Sequence, residues 1–209
     1  TLDVPGATAT YAASINASGQ VTGSYYDSSG RHGFVYSNGT FTTLDVPGAI
    51  DTDPVSINAS GQVTGNYQDG FGQYGFVYSN GTFTTLDVPG ASVTFVASIN
   101  TSGQVAGYYL SKPNGPIPIY DYGFVYSNGT FTTLDVPGAY GTIVTSINDS
   151  GQVTGTYFVD SALNSNGFIA TPMATDIPTL SQWALLLGGG LLIGMAWLAQ
   201  VRRTRSLRR

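Results

Sequence analysis

The one histidine, His32, and the twelve aspartates are the side chains best placed to move protons or hold ions. Cysteine and glutamate are absent, which removes thiolate chemistry, disulfides and most acid–base pairs. A Ser-His-Asp relay would have to use His32. It stands in RHG, where related stretches of the chain read QYG, DYG and SNG, so it looks like an ordinary loop residue. Asp3, Asp45, Asp87 and Asp135 recur in LDVPG. Gathered around a ring they could hold a cation; the simpler expectation is that each accepts amide hydrogens from its own VPGA turn. Asp51, Asp53 and Asp149 have the chemistry for calcium but not the spacing of a calcium loop. The sequence therefore predicts no catalytic residue, no metal site, no cofactor and no enzyme.

Those aspartates belong to a repeat. They are separated by 42, 42 and 48 residues, and Ser14, Ser56, Ser98 and Ser146 follow the same steps. The unit reads S-I-N-x-S-G-Q-V-x-G-x-Y, a variable stretch, then G-F-V-Y-S-N-G-T-F-T-T-L-D-V-P-G-A. Asn-Gly between two β-prone runs is a strong hairpin signal. NASG closes a second hairpin, and VPGA suits a type I or II turn. Each repeat thus offers four short strands, a to d: SIN, QVTGSYY, GFVYS and TFTTLDV. Four antiparallel strands in 42 residues match a propeller blade. The predicted fold is all-β: a β-propeller, four-bladed or truncated, with one C-terminal transmembrane helix. Closure would come from residues 1–4 completing the last blade beside 167–171. The alternatives are an open β-solenoid and a fragment of a larger propeller. The repeats are 1–42, 43–84, 85–132 and 133–172. Gly23, Gly65, Gly107 and Gly155 fall mid-strand, where a neighbour, the Phe of an adjacent strand, is expected to approach closely.

The two ends of such a blade differ. The a–b and c–d turns keep their sequence, whereas the b–c loops (DSSGRH, DGFGQY, LSKPNGPIPIYDY, VDSALNSN) and the d–a connectors (ATATYAA, AIDTDPV, ASVTFVA, AYGTIVT) diverge. Loops on a rigid scaffold are where binding is built. A sugar site there would draw on Tyr74, Tyr120, Tyr122 and Tyr140. Up to Asp176 only Arg31 and Lys112 oppose twelve Asp, a balance that repels phosphate backbones and argues against nucleic acid as a partner. The Asn-x-Ser/Thr triplets follow from turn chemistry and are not read as glycosylation sites.

The repeat S-I-N-x-S-G-Q-V-x-G with G-F-V-Y-S-N-G-T-F resembles the bacterial extracellular repeats called the HAF family, over residues 1–172. The resemblance implies export and implies no defined activity.

After a short linker, 173–176, the grammar changes. IPTLSQW (177–183) leads into an apolar run from Trp183 to Val201, long enough as a helix for a bilayer core, and then into RRTRSLRR (202–209). Arg202, Arg203, Arg205, Arg208 and Arg209 should stop transfer and stay cytoplasmic, leaving the repeats outside. Ile177, Pro178, Thr179, Leu180, Ser181 and Trp183 resemble the IPTL-CTERM sorting signal of Gram-negative bacteria, with Gln182 and Ala184 where that family commonly has Glu and Gly. That resemblance implies an exosortase-type peptidase as partner, an inner-membrane precursor, and final release to the cell surface or beyond. The expected role is structural or interactive at the surface or in an extracellular matrix. The alternative is a carbohydrate-binding or carbohydrate-active propeller contacting surface polysaccharide.

Overall fold

A computed structural model describes residues 1–111, 121–160, 162 and 164–172, and the backbone of 183–187 and 190–191. Among the described residues every regular element is a strand, as the composition predicts. Four antiparallel meanders follow one another. The first is β1 (Ala9–Ile15), β2 (Val21–Tyr26), β3 (Arg31–Ser37) and β4 (Thr40–Leu44). The second is β5 (Asp51–Ile57), β6 (Val63–Gln68), β7 (Gln73–Ser79) and β8 (Thr82–Leu86). The third is β9 (Ala91–Ile99), β10 (Val105–Ser111), β11 (Asp121–Ser127) and β12 (Thr130–Leu134). The fourth is β13 (Gly141–Ile147), β14 (Val153–Phe158), β15 (Ser165–Pro172) and β16 (Trp183–Leu187), with β17 (Gly190–Leu191) beyond it.

The turns are those the residues require. Asn38-Gly39, Asn80-Gly81 and Asn128-Gly129 all take positive φ, the type I′ geometry whose twist matches the flanking strands. In VPGA the glycine φ is +85° at Gly6 and Ala7 N–H donates to Val4 O at 3.0 Å, a type II turn. The segments read as d–a connectors are not loops: they form most of the first strand of each unit, because ladder pairing extends upstream of S-I-N to Ala9, Asp51, Ala91 and Gly141.

Each first strand carries a bulge, for example between Ala12 and Ser14 opposite Gly23–Thr22. The bulge explains the mid-strand glycines. A Cβ on Gly107 would lie 2.1 Å from Phe95 O, backbone that cannot step aside. The expected phenylalanine neighbour is present at Gly65 and Gly155, but the closest atoms in both are first-strand backbone.

Phe34, Phe76 and Phe124 are fully buried at one place in successive units. The LDVPG segment of each unit packs into the next one. Leu44 and Val46 join Ile57, Val63 and Phe76; Leu86 and Val88 join Ile99, Val105 and Phe124; Leu134 and Val136 join Ile147, Val153 and Phe168. Substantial packing between units runs between consecutive ones, as in β2 on β5, β7 on β9 and β10 on β13.

One expectation is corrected here, and a second falls largely outside the described residues. Residues 1–4 do not complete the last meander. Leu2 and Val4 pack on Val21, Tyr25 and Phe34 of the first unit, and the outer position beside β15 is taken by β16, with Ile169 opposite Leu186 and Pro172 opposite Trp183. Leu2 and Val4 hold against the first unit the place that Leu44 and Val46 hold against the second, but residues 1–4 join no ladder, so no closed propeller is formed by this segment. The expected helix from Trp183 is extended where it is described, at 183–187 and 190–191. The remainder of the expected span, the IPTLSQ residues 177–182 and the Arg tail 202–209 lie outside the described residues. Among those described, no helix is long and apolar enough to cross a membrane.

Candidate functional site

The variable loops and the starts of the first strands meet at one end of the units. Exposed large apolar side chains gather there: Tyr26 and Phe71 in or beside b–c hairpins, Ile50 and Tyr140 where the chain enters β5 and β13, and Val159 after β14. Phe71, at the tip of Asp69-Gly-Phe-Gly, is 94 % exposed. Its loop is held by Asp69 Oδ1, which accepts from Phe71 N–H at 2.7 Å and Gly72 N–H at 2.9 Å. Phe71 was not singled out from sequence, although an aromatic between two glycines is a legible sign of a displayed side chain.

Aromatic pairs underlie these tips. Ladder register sets Tyr25 opposite His32, Tyr67 opposite Tyr74 and Tyr109 opposite Tyr122. The ring centroids lie 5.2, 5.4 and 5.4 Å apart. Each strand-b tyrosine also bonds through its hydroxyl to a threonine of strand d: Thr43, Thr85 and Thr133. The sequence pointed to Tyr74 and Tyr122 singly; the cross-strand partners were missed.

A cleft of about 190 Å³ opens between the third and fourth units, lined by Asp121, Tyr122, Asp135, Ala139, Tyr140 and Gly141. It brings two of the expected tyrosines, Tyr122 and Tyr140, together. Tyr74 occupies Tyr122's place one unit earlier, and Tyr120 lies outside the described residues. Burial pushes the Asp121 carboxyl above the ordinary carboxylate range. Burial does the same to Asp135, against the opposing pull of a hydrogen bond from Thr142 Oγ1 at 3.3 Å. Two rings beside two carboxylates can stack on a sugar face and accept from its hydroxyls. At about 190 Å³ the cleft is smaller than the pockets that enclose a small molecule.

His32 is placed by β3 among Ser29, Asp27 and Asp45. Its Nδ1 lies 2.9 Å from Asp45 Oδ2, and its Nε2 lies 2.9 Å from Ser29 Oγ and 3.3 Å from Asp27 Oδ1. The outline is that of a Ser-His-Asp relay, but the protons are arranged differently. Ser29 Oγ donates its one hydrogen to Asp27 Oδ1 at 2.6 Å, so Nε2 must donate to Ser29. Nδ1 faces a carboxylate and must donate as well. Burial lowers the His32 pKa, and the hydrogen bond and charge of Asp45, helped by Asp27, outweigh it, so the net shift is upward. When protonated, the ring ties the loop to the LDVPG turn through both of its nitrogens. Beside it Arg31 pairs with Asp53 of the next unit and donates to Ser24 Oγ.

The LDVPG aspartates do not bind their own turns as expected. The turn's valine N–H donates instead to a threonine hydroxyl of the following strand: Val4 to Thr10, Val46 to Thr52, Val88 to Thr94 and Val136 to Thr142. That leaves Asp45 for His32 and Asp135 for the cleft. Among the described residues no group of three ligating side chains gathers to hold a metal. No family model and no curated protein matches the chain.

Proposed function

We propose that this chain is an exported, non-enzymatic repeat protein whose loop-bearing end is its contact surface, at the cell surface or in an extracellular matrix. The observation that carries the reading is the sorting of exposed apolar side chains. Of the eight exposed large apolar side chains among the described residues, five, Tyr26, Ile50, Phe71, Tyr140 and Val159, sit at the loop-bearing end, and Tyr11, Ile15 and Ile169 lie elsewhere on the terminal units. Apolar side chains displayed at one end of the units favour an interaction surface there. Resemblance to HAF repeats and to the IPTL-CTERM signal supports export, a precursor in the inner membrane and an exosortase-type peptidase as processing partner. Ile50→Asp with Phe71→Asp should keep the melting temperature and abolish binding to an isolated envelope fraction. Unchanged binding would remove the loop end from consideration.

The second reading is carbohydrate binding, and the cleft favours it. Tyr122 and Tyr140 line the cleft together with Asp121 and Asp135, two aromatic rings beside two hydrogen-bond acceptors. Glycan-array signals lost on Tyr122→Ala and Tyr140→Ala would support it; an array blank for the wild type would dismiss it.

A further inference from the structure

We propose that the outer face of the fourth unit seats the first unit of a second copy of this chain, head to tail. Three internal junctions show what seats one unit on the next. Ile57, Ile99 and Ile147 face the preceding unit and are 5, 6 and 6 % exposed, whereas Ile15, their equivalent in the first unit, is 67 % exposed. On the opposite face Thr22, Thr64 and Ala106 are fully buried beneath the following unit, while Thr154 is exposed. Ile169 is 50 % exposed where Val125 is 2 % exposed.

The sockets repeat the pattern. A side chain of each unit rests on a glycine of the one before: Pro54 on Gly33, Val96 on Gly75 and Val144 on Gly123. Gly167, the fourth such glycine, meets among the described residues only Gly155 O, 3.8 Å from where a Cβ would stand. Ala12 is the side chain that the first unit would bring to it.

The hydrogen bonds have matching loose ends. Asn16 Nδ2 donates to Asn58 O, Asn58 to Asn100 O and Asn100 to Asn148 O, each at 3.0 Å. Among the described residues Asn148 Nδ2 donates to Gln152 Oε1 alone, which leaves one hydrogen for a further unit. Asn16 O accepts from Gly19 N–H and has its second lone pair to offer. Ser14 and Ser56 accept the backbone N–H of Ile57 and Ile99; Ser146 holds the same place on the fourth unit. A hollow of about 140 Å³ lined by Ser146, Asn148, Gln152, Val153, Thr154 and Ile169 marks the seat. The named residues of both faces are uncharged in a chain with twelve Asp, so stacking brings no like charges together.

A head-to-tail contact is heterologous, and it grows into a filament or closes as a ring. The inference deepens the interaction reading by naming a partner, and it rests on that reading; glycan and envelope binding are measured separately, so either can fail alone. The full chain in mild detergent is sedimented over a concentration series, as wild type, Ile15→Asp and Ile169→Asp. Wild type should form species larger than dimers. Each variant alone should be monomeric, since one retains only tails and the other only heads. Their mixture should give dimers and nothing larger, which also proves both variants folded. A monomeric wild type, or single variants that assemble like wild type, would overturn the proposal.

Discussion

At His32 the ring lies between carboxylates on both sides, and this makes stability depend on pH in a calculable direction. Its folded pKa lies above the ordinary value of 6.5. The folded state therefore binds the proton more tightly than the unfolded one. The contribution is fully present below about 6.5 and is lost as pH rises through the folded-state value. Wild type should lose melting temperature across that window and His32→Gln should not. Equal slopes in the two proteins would show that the clamp contributes nothing. A larger effect is expected at Phe76, which has no exposed surface. Phe76→Ala should cost about 3–5 kcal/mol in chemical denaturation, from lost burial and the cavity left behind. A cost under about 1 kcal/mol would mean that the unit collapses freely.

Between elements, asparagine is the joint. Asn58 Oδ1 accepts Ser60 and Gln62 N–H, and its Nδ2 donates within the turn and to Asn100 O. Its side chain is buried, so Asn58→Ala strands several partners and should cost about 2–4 kcal/mol. Asn148→Ala removes the same turn bonds at an exposed end, and about 1 kcal/mol is expected. Matching losses would mean that the joint between units carries no energy. The tail is the other element with a choice. Residues 183–187 take a ladder beside β15, whereas in hydrocarbon a single segment satisfies its own backbone only as a helix. Circular dichroism of a 177–209 peptide should show helix in vesicles and little in buffer. No helix in lipid would end the transmembrane reading. Pro178→Ala with Thr179→Ala should leave insertion intact and block removal of the tail in a host with the sorting peptidase. Intact mass decides it, because a wild type that keeps residues 184–209 would leave the tail a plain anchor.

For the whole molecule, stability is set by units and by the junctions between consecutive units, as in any repeat array. Deleting residues 1–4 strips Leu2 and Val4 from the first core alone. Hydrogen exchange should then rise in β1–β4 and stay unchanged in β15. Faster exchange in both places would indicate a ring closed through the N-terminal strand.

The Asn-Gly turns, the VPGA turns and the four-strand meander were legible in the sequence because each rests on local backbone chemistry. Positive φ at Asn38 and Gly39 needs no information from elsewhere in the chain. The reach of the first strands was not legible. ATATYAA looks like a variable connector until β2 lies beside it and pairs its backbone, which accepts almost any side chain. Equally invisible was where LDVPG belongs: Leu44 pairs in one unit and is buried in the core of the next, a placement fixed only by stacking. Tyr122 and Tyr140 could be named as aromatics on a variable end. Their meeting with Asp121 and Asp135 required two units to be in place, because one carboxylate comes from strand c and the other from the turn leading into the next unit. Local residues choose turns and strands; which surfaces remain open is decided by what each unit finds on either side of it.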